Sequence, residues 1–345
     1  MTSKKLTSKS ITSSSIPKTL KILLINIVVF FFLLEIASRI FLSLRRDSSF
    51  VDPSSTSLFY YPEMKSTTVS PPSSSKWDIL LLGASVLHPA WGSVEKELKI
   101  LLSNSSKNVK IHNVAIQSHT TRDSLIKYRL LEGHVFDKVF VYHGINDLRM
   151  NNYPEDRFQQ DYSHVHWYRT VNPLVRHREL SFLATPFMVE HAWFKLTRKD
   201  DDEQYEHRKY GGLIKTEQAF HSNLKAISNL AEKRGDALVL ATYAYHVPPD
   251  YCKDAFYAKN LDYNAHRLPV EAWGHPKNIR VGLELHNKII RRLASEEKIT
   301  CVEIAEHIHG EAANFDDVCH LTSQGSRRFA QLLASHLAPT SSTTE

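Results

Sequence analysis

The chain has 345 residues, 42% of them hydrophobic and 23% charged, an ordinary composition for a folded protein of one large domain or two small ones. The net charge is +6, but residues 1–50 carry eight Lys/Arg and two acids, while the remainder balances 35 basic against 35 acidic residues. The excess therefore flanks an apolar segment instead of forming a basic patch on a folded unit, which argues against a nucleic-acid partner. Three cysteines (Cys252, Cys301, Cys319) are too few for a disulfide framework and show no Cys-x-x-Cys metal spacing; one disulfide plus a free thiol, or three free thiols, both remain open.

Residues 1–21 read as a disordered basic tail of Ser, Thr and Lys. Residues 22–44 are the most apolar stretch and are long enough for a transmembrane anchor, which needs about 20 mostly apolar residues. Glu35 and Arg39 interrupt it, four apart and so able to pair on one helix face. The segment ends in charged and bulky residues and not in a small-x-small cleavage site, so an uncleaved anchor is expected over a signal peptide. Five lysines precede it and Arg45 and Arg46 follow, which predicts a single-pass chain with a cytoplasmic amino end and the rest extracytoplasmic or lumenal. Residues 45–76, rich in Ser, Thr and Pro, read as an extended linker. Asn104-Ser105-Ser106 is an N-glycosylation acceptor pattern.

From residue 77 to 338 apolar runs alternate with helical periods. Strands are expected at 79–82, 109–114, 138–142, 237–242 and 300–304, and helices at about 92–102, 121–131, 213–234, 281–297 and 322–337. That alternation predicts an α/β domain with a mainly parallel five-stranded sheet covered on both faces, with residues 339–345 as a disordered tail. An aromatic-rich insertion, 148–212, breaks the rhythm with a charged run at 198–203; it reads as a lid or substrate-binding subdomain, or as a decorative helical insertion. A shorter irregular loop, 248–277, follows the fourth strand and is expected at the same rim.

The first strand runs Ile79-Leu80-Leu81-Leu82 and stops at Gly83-Ala84-Ser85. Open α/β sheets bind ligands at the carboxyl ends of their strands, so Ser85 is a candidate nucleophile if a base and an anion-stabilising pocket come from elsewhere. The third strand ends at Gly144-Ile145-Asn146-Asp147 on the same edge; the Asn146 amide can donate to an oxyanion, and an Asx turn explains it equally well. The second strand leads into Asn113 to Ser118, where small residues let the backbone approach a ligand, followed by a helix-cap signal at Thr121-Arg122-Asp123. Near the carboxyl end, Asp317-Val318-Cys319-His320 puts a titratable imidazole just before a helix, with a carboxylate three residues earlier that can fix its tautomer. His88 and His143 lie near these blocks as candidate pocket residues.

In these four blocks, in this order, the chain resembles the SGNH (GDSL-like) hydrolase family over about residues 77–338. The resemblance implies a flavodoxin-like three-layer α/β/α sandwich with Ser85 as nucleophile, His320 as base and Asp317 as its partner. It also implies an oxyanion hole from the Ser85 N–H, a second-block N–H at Ser118 and the Asn146 amide. Two positions depart from the family pattern: Ala84 replaces the usual Asp of the first block, and Ser118 replaces the usual Gly of the second, so Ala115 or Gln117 are alternatives for that donor. The expected activity is cleavage of a carboxylic ester, such as an acylated glycan or lipid, without cofactor or metal. An O-acyltransferase and an inactive binding protein of the same fold are the rivals.

Overall fold

In a computed structural model of the chain, residues 17–67, 75–103, 105, 107–176, 178–196 and 213–339 are described. Asn104 and Ser106 of the acceptor pattern, the 198–203 charged run and the two terminal tails (apart from residues 17–21 and Pro339) lie outside these residues. Five strands form one parallel sheet: β1 (Lys76–Gly83), β2 (Asn108–Asn113), β3 (Lys138–Tyr142), β4 (Ala237–Ala241) and β5 (Thr300–Val302). Their spatial order is β2-β1-β3-β4-β5, the flavodoxin-like order.

Beyond its exposed first residue β1 is buried throughout, because a parallel strand covered on both faces must be apolar on both. Its side chains alternate between two cores. Ile79 and Leu81 pack with Phe140, Tyr142 and Val239 against α2 (Val94–Leu102) and α7 (Ser323–Leu337). Leu80 and Leu82 pack with Val139 and Val141 on the other face, against α3 (Thr121–Leu130), α5 (Thr216–Arg234) and α6 (Pro276–Glu297). The result is the three-layer α/β/α sandwich. Helix α6 begins five residues earlier than the periodicity predicts, because Pro276 at its first turn needs no N–H partner there and His275 caps it.

Helix α1 (Lys18–Arg46) is, among the described residues, the one long and apolar enough to cross a membrane; by length and position a signal sequence would pass the same test. Every residue from 18 to 33 is exposed. The expected Glu35–Arg39 pair forms at 2.6 Å, and it does more than neutralise itself. The Glu35 carboxylate accepts from the backbone N–H groups of Ala184 and Thr185 and from Thr185 Oγ1, capping helix α4 (Thr185–Leu196) of the insertion. Arg39 donates to the carbonyls of Phe50, Val51 and Phe182.

The described part of 45–76 is not an extended linker. Residues Pro53–Thr56, Ser57–Tyr60 and Pro62–Ser66 form short helical turns packed on the domain. Tyr61 is completely buried and Met64 nearly so. Tyr61 Oη donates to Asp123 Oδ1 at 3.1 Å, and Glu63 pairs with the fully buried Lys127 at 2.8 Å. Composition misleads here because Pro53 and Pro62 open helical turns instead of extending the chain, and because Tyr61 and Met64 outweigh the surrounding serines. The insertion is integral as well: Tyr162, Tyr168 and Val171 lie in the second core. Truncating Tyr61 to Ala is expected to destabilise the fold by about 3–5 kcal/mol, as for a buried aromatic. A free linker would leave the thermal midpoint unchanged.

Candidate active site

Parallel strands deliver their carboxyl ends to one edge, and β1 and β3 flank the point where the sheet order reverses. Ser85 follows β1 there, and Asn146 follows β3. Gly144 makes that exit possible, since a Cβ at this position would overlap the Tyr243 ring. The loop before α7 brings in the third group. Thr322 caps that helix by accepting from the Gly325 N–H, and Gly325 is needed because a Cβ there would collide with the Asn314 carbonyl.

Ser85 Oγ lies 2.9 Å from His320 Nε2, and His320 Nδ1 lies 2.7 Å from Asp317 Oδ2. A carboxylate only accepts, so Nδ1 carries the proton and Nε2 is left as the acceptor for the Ser85 hydroxyl. Asp317 is held in turn by the N–H groups of Cys319 and His320 on Oδ1 and of Leu268 on Oδ2. All three side chains are buried. The Trp91 ring stacks on the imidazole with centroids 4.5 Å apart.

Asp317, Cys319 and His320 also present one metal-ligand atom each within 4.8 Å of one another. The Asp317 oxygens are already committed to four N–H donors, and burial pushes the Cys319 thiol well above its usual range, so this thiol is neither a ready ligand nor a rival nucleophile. The three cysteines are free.

The Asn146 amide is oriented by two bonds. Trp273 Nε1 donates to Oδ1 at 2.9 Å, and Nδ2 donates to the His119 carbonyl at 3.0 Å. One Nδ2 hydrogen is thus fixed on the loop after β2, leaving the other as the donor this amide can offer a ligand. Ser118 sits in that loop with φ of 66°, the left-handed region in which a residue with a Cβ is strained and glycine is not. The loop is tied down from several sides: Lys127 Nζ donates to the Val114 carbonyl and Arg149 to that of Ser118.

Beneath the loop lies Asp123, fully buried, which accepts from Thr120 N–H, Tyr61 Oη, Trp167 Nε1 and Tyr168 Oη. Burial alone would raise its pKa, but the neighbouring His119 and these donors bring it down to about 2. His119 is itself pushed down to about 4 by burial, so it is uncharged near neutral pH and charged over the lower range in which Asp123 titrates. Asp147 behaves oppositely: burial pushes it up to about 7 despite hydrogen bonds from Thr121 and Tyr162.

His143 does not line the site. It is buried with Nε2 2.7 Å from Ser124 Oγ, because β3 turns it under α3. His88 is half-buried, and its Nδ1 accepts from the Ala90 N–H. Sequence reasoning missed Trp91, Trp273 and the Leu268 N–H. The last two come from the 248–277 loop, which does reach the rim; a tryptophan inside an irregular loop beside a strand end was the available signal.

No protein-family model and no curated sequence matches the chain. Among solved structures it matches a GDSL-like lipase from Bacteroides thetaiotaomicron at 12% identity and TM-score 0.44, covering 83% of this chain and 98% of that one. An acetylxylan esterase from Geobacillus stearothermophilus matches at 13% identity and TM-score 0.41, over 78% and 96% of the two chains. A lipase/acylhydrolase from Enterococcus faecalis matches at 12% and 0.40, over 76% and 95%. The chain is similar to GDSL-type esterases and acylhydrolases. At such low identity and TM-score the likeness carries no weight for the chemistry, which stands on the side chains themselves.

Two outcomes are expected. Asn146→Ala should lower kcat on a small ester by about 100-fold with little change in KM, as for loss of one oxyanion donor; an equal loss in KM alone would contradict the role. Asp147 also predicts a pH effect. Its folded-state value of about 7 exceeds the usual 3.8, so from about pH 4 to pH 7 the folded chain holds a proton that the unfolded chain releases. Stability contributed by this group therefore falls as pH rises through that window. The thermal midpoint of Asp147→Asn should gain on that of the parent between pH 4 and 8, and a pH-independent difference would contradict it.

Proposed function

We propose that the chain is a membrane-anchored serine esterase that cleaves a carboxylic ester through an acyl-enzyme. The observation that carries this reading is the continuous Ser85–His320–Asp317 hydrogen-bonded series beside an oriented Asn146 amide. Ser85 Oγ attacks the ester carbonyl carbon while its proton passes to His320 Nε2, and Asp317 steadies the imidazolium through Nδ1. The carbonyl oxygen, now an anion, is met by the Ser85 and Ser118 N–H groups and by Asn146 Nδ2. Collapse breaks the ester C–O bond, and the alcohol departs with the proton from His320. Water then adds to the acyl carbon with its proton taken by His320, and the acid leaves as Ser85 recovers its own. Every step uses groups of this chain.

The domain proposed to do this chemistry extends from about residue 57 to 338, since the turns containing Tyr61 and Met64 share its core. Helix α1 is proposed as an uncleaved span with the amino end cytoplasmic, which its lysine-rich flank favours. The full chain in detergent should hydrolyse small activated esters, and Ser85→Ala should reduce turnover by about 10^4-fold or more with the fold intact. Undiminished turnover in that variant would remove Ser85 from the mechanism.

A further inference from the structure

Helix α4 is amphipathic in the wrong direction for a soluble domain. Val189, Ala192, Trp193 and Leu196 follow the i, i+3, i+4, i+7 spacing of a single helical stripe, and that stripe faces outward. Val189 is 57% exposed, Trp193 64% and Leu196 84%, and Phe182 just before the helix is 61% exposed. The opposite side of the helix meets the domain through Phe187, whose ring lies 6.1 Å from that of Tyr60.

The position of this helix along α1 says what covers the stripe. A bilayer's hydrocarbon core is about 30 Å thick, or about 20 helical residues at 1.5 Å each. Counted from Ile22, the first residue after Lys21, such a span ends near Phe41. Glu35 then lies about 10 Å short of that end. Yet Glu35 is where the first N–H groups of α4 are bonded, and Arg39 holds the Phe182 carbonyl. A span of normal length therefore brings the amino end of α4 down to the level of the membrane. Interfacial helices sink their apolar faces about 5–10 Å into the boundary between headgroups and acyl chains, the depth this geometry gives. Residues 18–33 of α1, the helix to which α4 is bonded, are all exposed as well.

We propose that α4 is a second membrane contact: with Phe182, its Val189–Ala192–Trp193–Leu196 stripe lies in the lipid leaflet on the domain side. This rests on the reading of α1 as a span and deepens it. The bond set at Glu35 and Arg39 makes α1 and α4 one unit, so the catalytic domain is held at a set tilt on the bilayer instead of swinging on a tether. The occupant is lipid and not protein, because the amino end of α4 is bonded to α1 at Glu35, within the length that α1 needs to cross a bilayer.

The test uses the full chain reconstituted in phosphatidylcholine vesicles, carrying Cys252→Ser to remove the exposed thiol. Burial raises the thiol pKa of Cys301 to about 12 and holds that of Cys319 well above its usual range, so both label slowly. A bimane is attached in turn at Val28→Cys in α1, Val189→Cys in α4 and Ile100→Cys, a 56%-exposed position on α2. Quenching by lipids carrying a doxyl group high on the acyl chain is read for each. The proposal expects the labels at 28 and 189 to lose most of their emission and the label at 100 to keep it. Quenching at 28 without quenching at 189 overturns the α4 contact and leaves the anchor standing. Loss at neither position overturns the anchor and the contact together. A blue shift at 189 that depends on protein concentration in detergent, with no lipid quenching, assigns the stripe to a second copy and also overturns the proposal.

Discussion

The site depends on one hydrogen bond, from Ser85 Oγ to His320 Nε2, which joins positions 235 residues apart in the chain. No local feature could make that contact. It exists because all five strands run the same way, so every loop leaving a carboxyl end emerges at one edge. The loop after β5 and its short helices then carry Asp317 and His320 back to β1. Phe329 and Leu333 of α7 anchor that return in the same core as Ile79 and Leu81. Shifting α7 relative to β1 by one ångström would break the alignment between the hydroxyl and the imidazole, so core packing and proton transfer are tied to the same contacts.

A second dependence runs through Asp123. A fully buried carboxylate is costly unless it is fully satisfied, and this one gathers donors from three separate regions: the turns before β1, the head of α3 and the insertion. The His119 ring stacks on Trp167, and its carbonyl holds Asn146. The aromatic insertion thus acts as a wall behind the loop that Asn146 leans on. Phe187 of α4 touches Tyr60, Tyr60 touches Trp167, and Glu190 of α4 pairs with Arg176, so helix α4 is linked to that wall by rings and by an ion pair.

Much of this was legible in the sequence, for physical reasons. Strands β1 and β3 are apolar on both faces and stop at or beside a glycine, which made them readable to within a few residues. Ser85 and Asn146 stood out as candidates because each follows such a stop, and Asp317 and His320 because their spacing falls just before a helix. What escaped is what composition hides. The turns at 53–66 look like linker by their serines and prolines, while Tyr61 and Met64 fill core positions. Asp123 reads locally as a helix-cap residue, which it is, through the Thr120 capping box; its long-range donors leave no local trace. Trp273 and Leu268 sit in a loop without periodicity, so the tryptophan could be noticed at the rim but its bond to Asn146, and that of the Leu268 N–H to Asp317, could not be read.

The central claim is that Ser85 is activated by His320 held by Asp317. It is tested most directly by reacting the intact chain with a fluorophosphonate and locating the adduct by peptide mass spectrometry. The account predicts one adduct, on the peptide containing Ser85, formed rapidly in the parent and lost in His320→Gln. An adduct on another serine, or labelling of Ser85 at the same rate without His320, would contradict it.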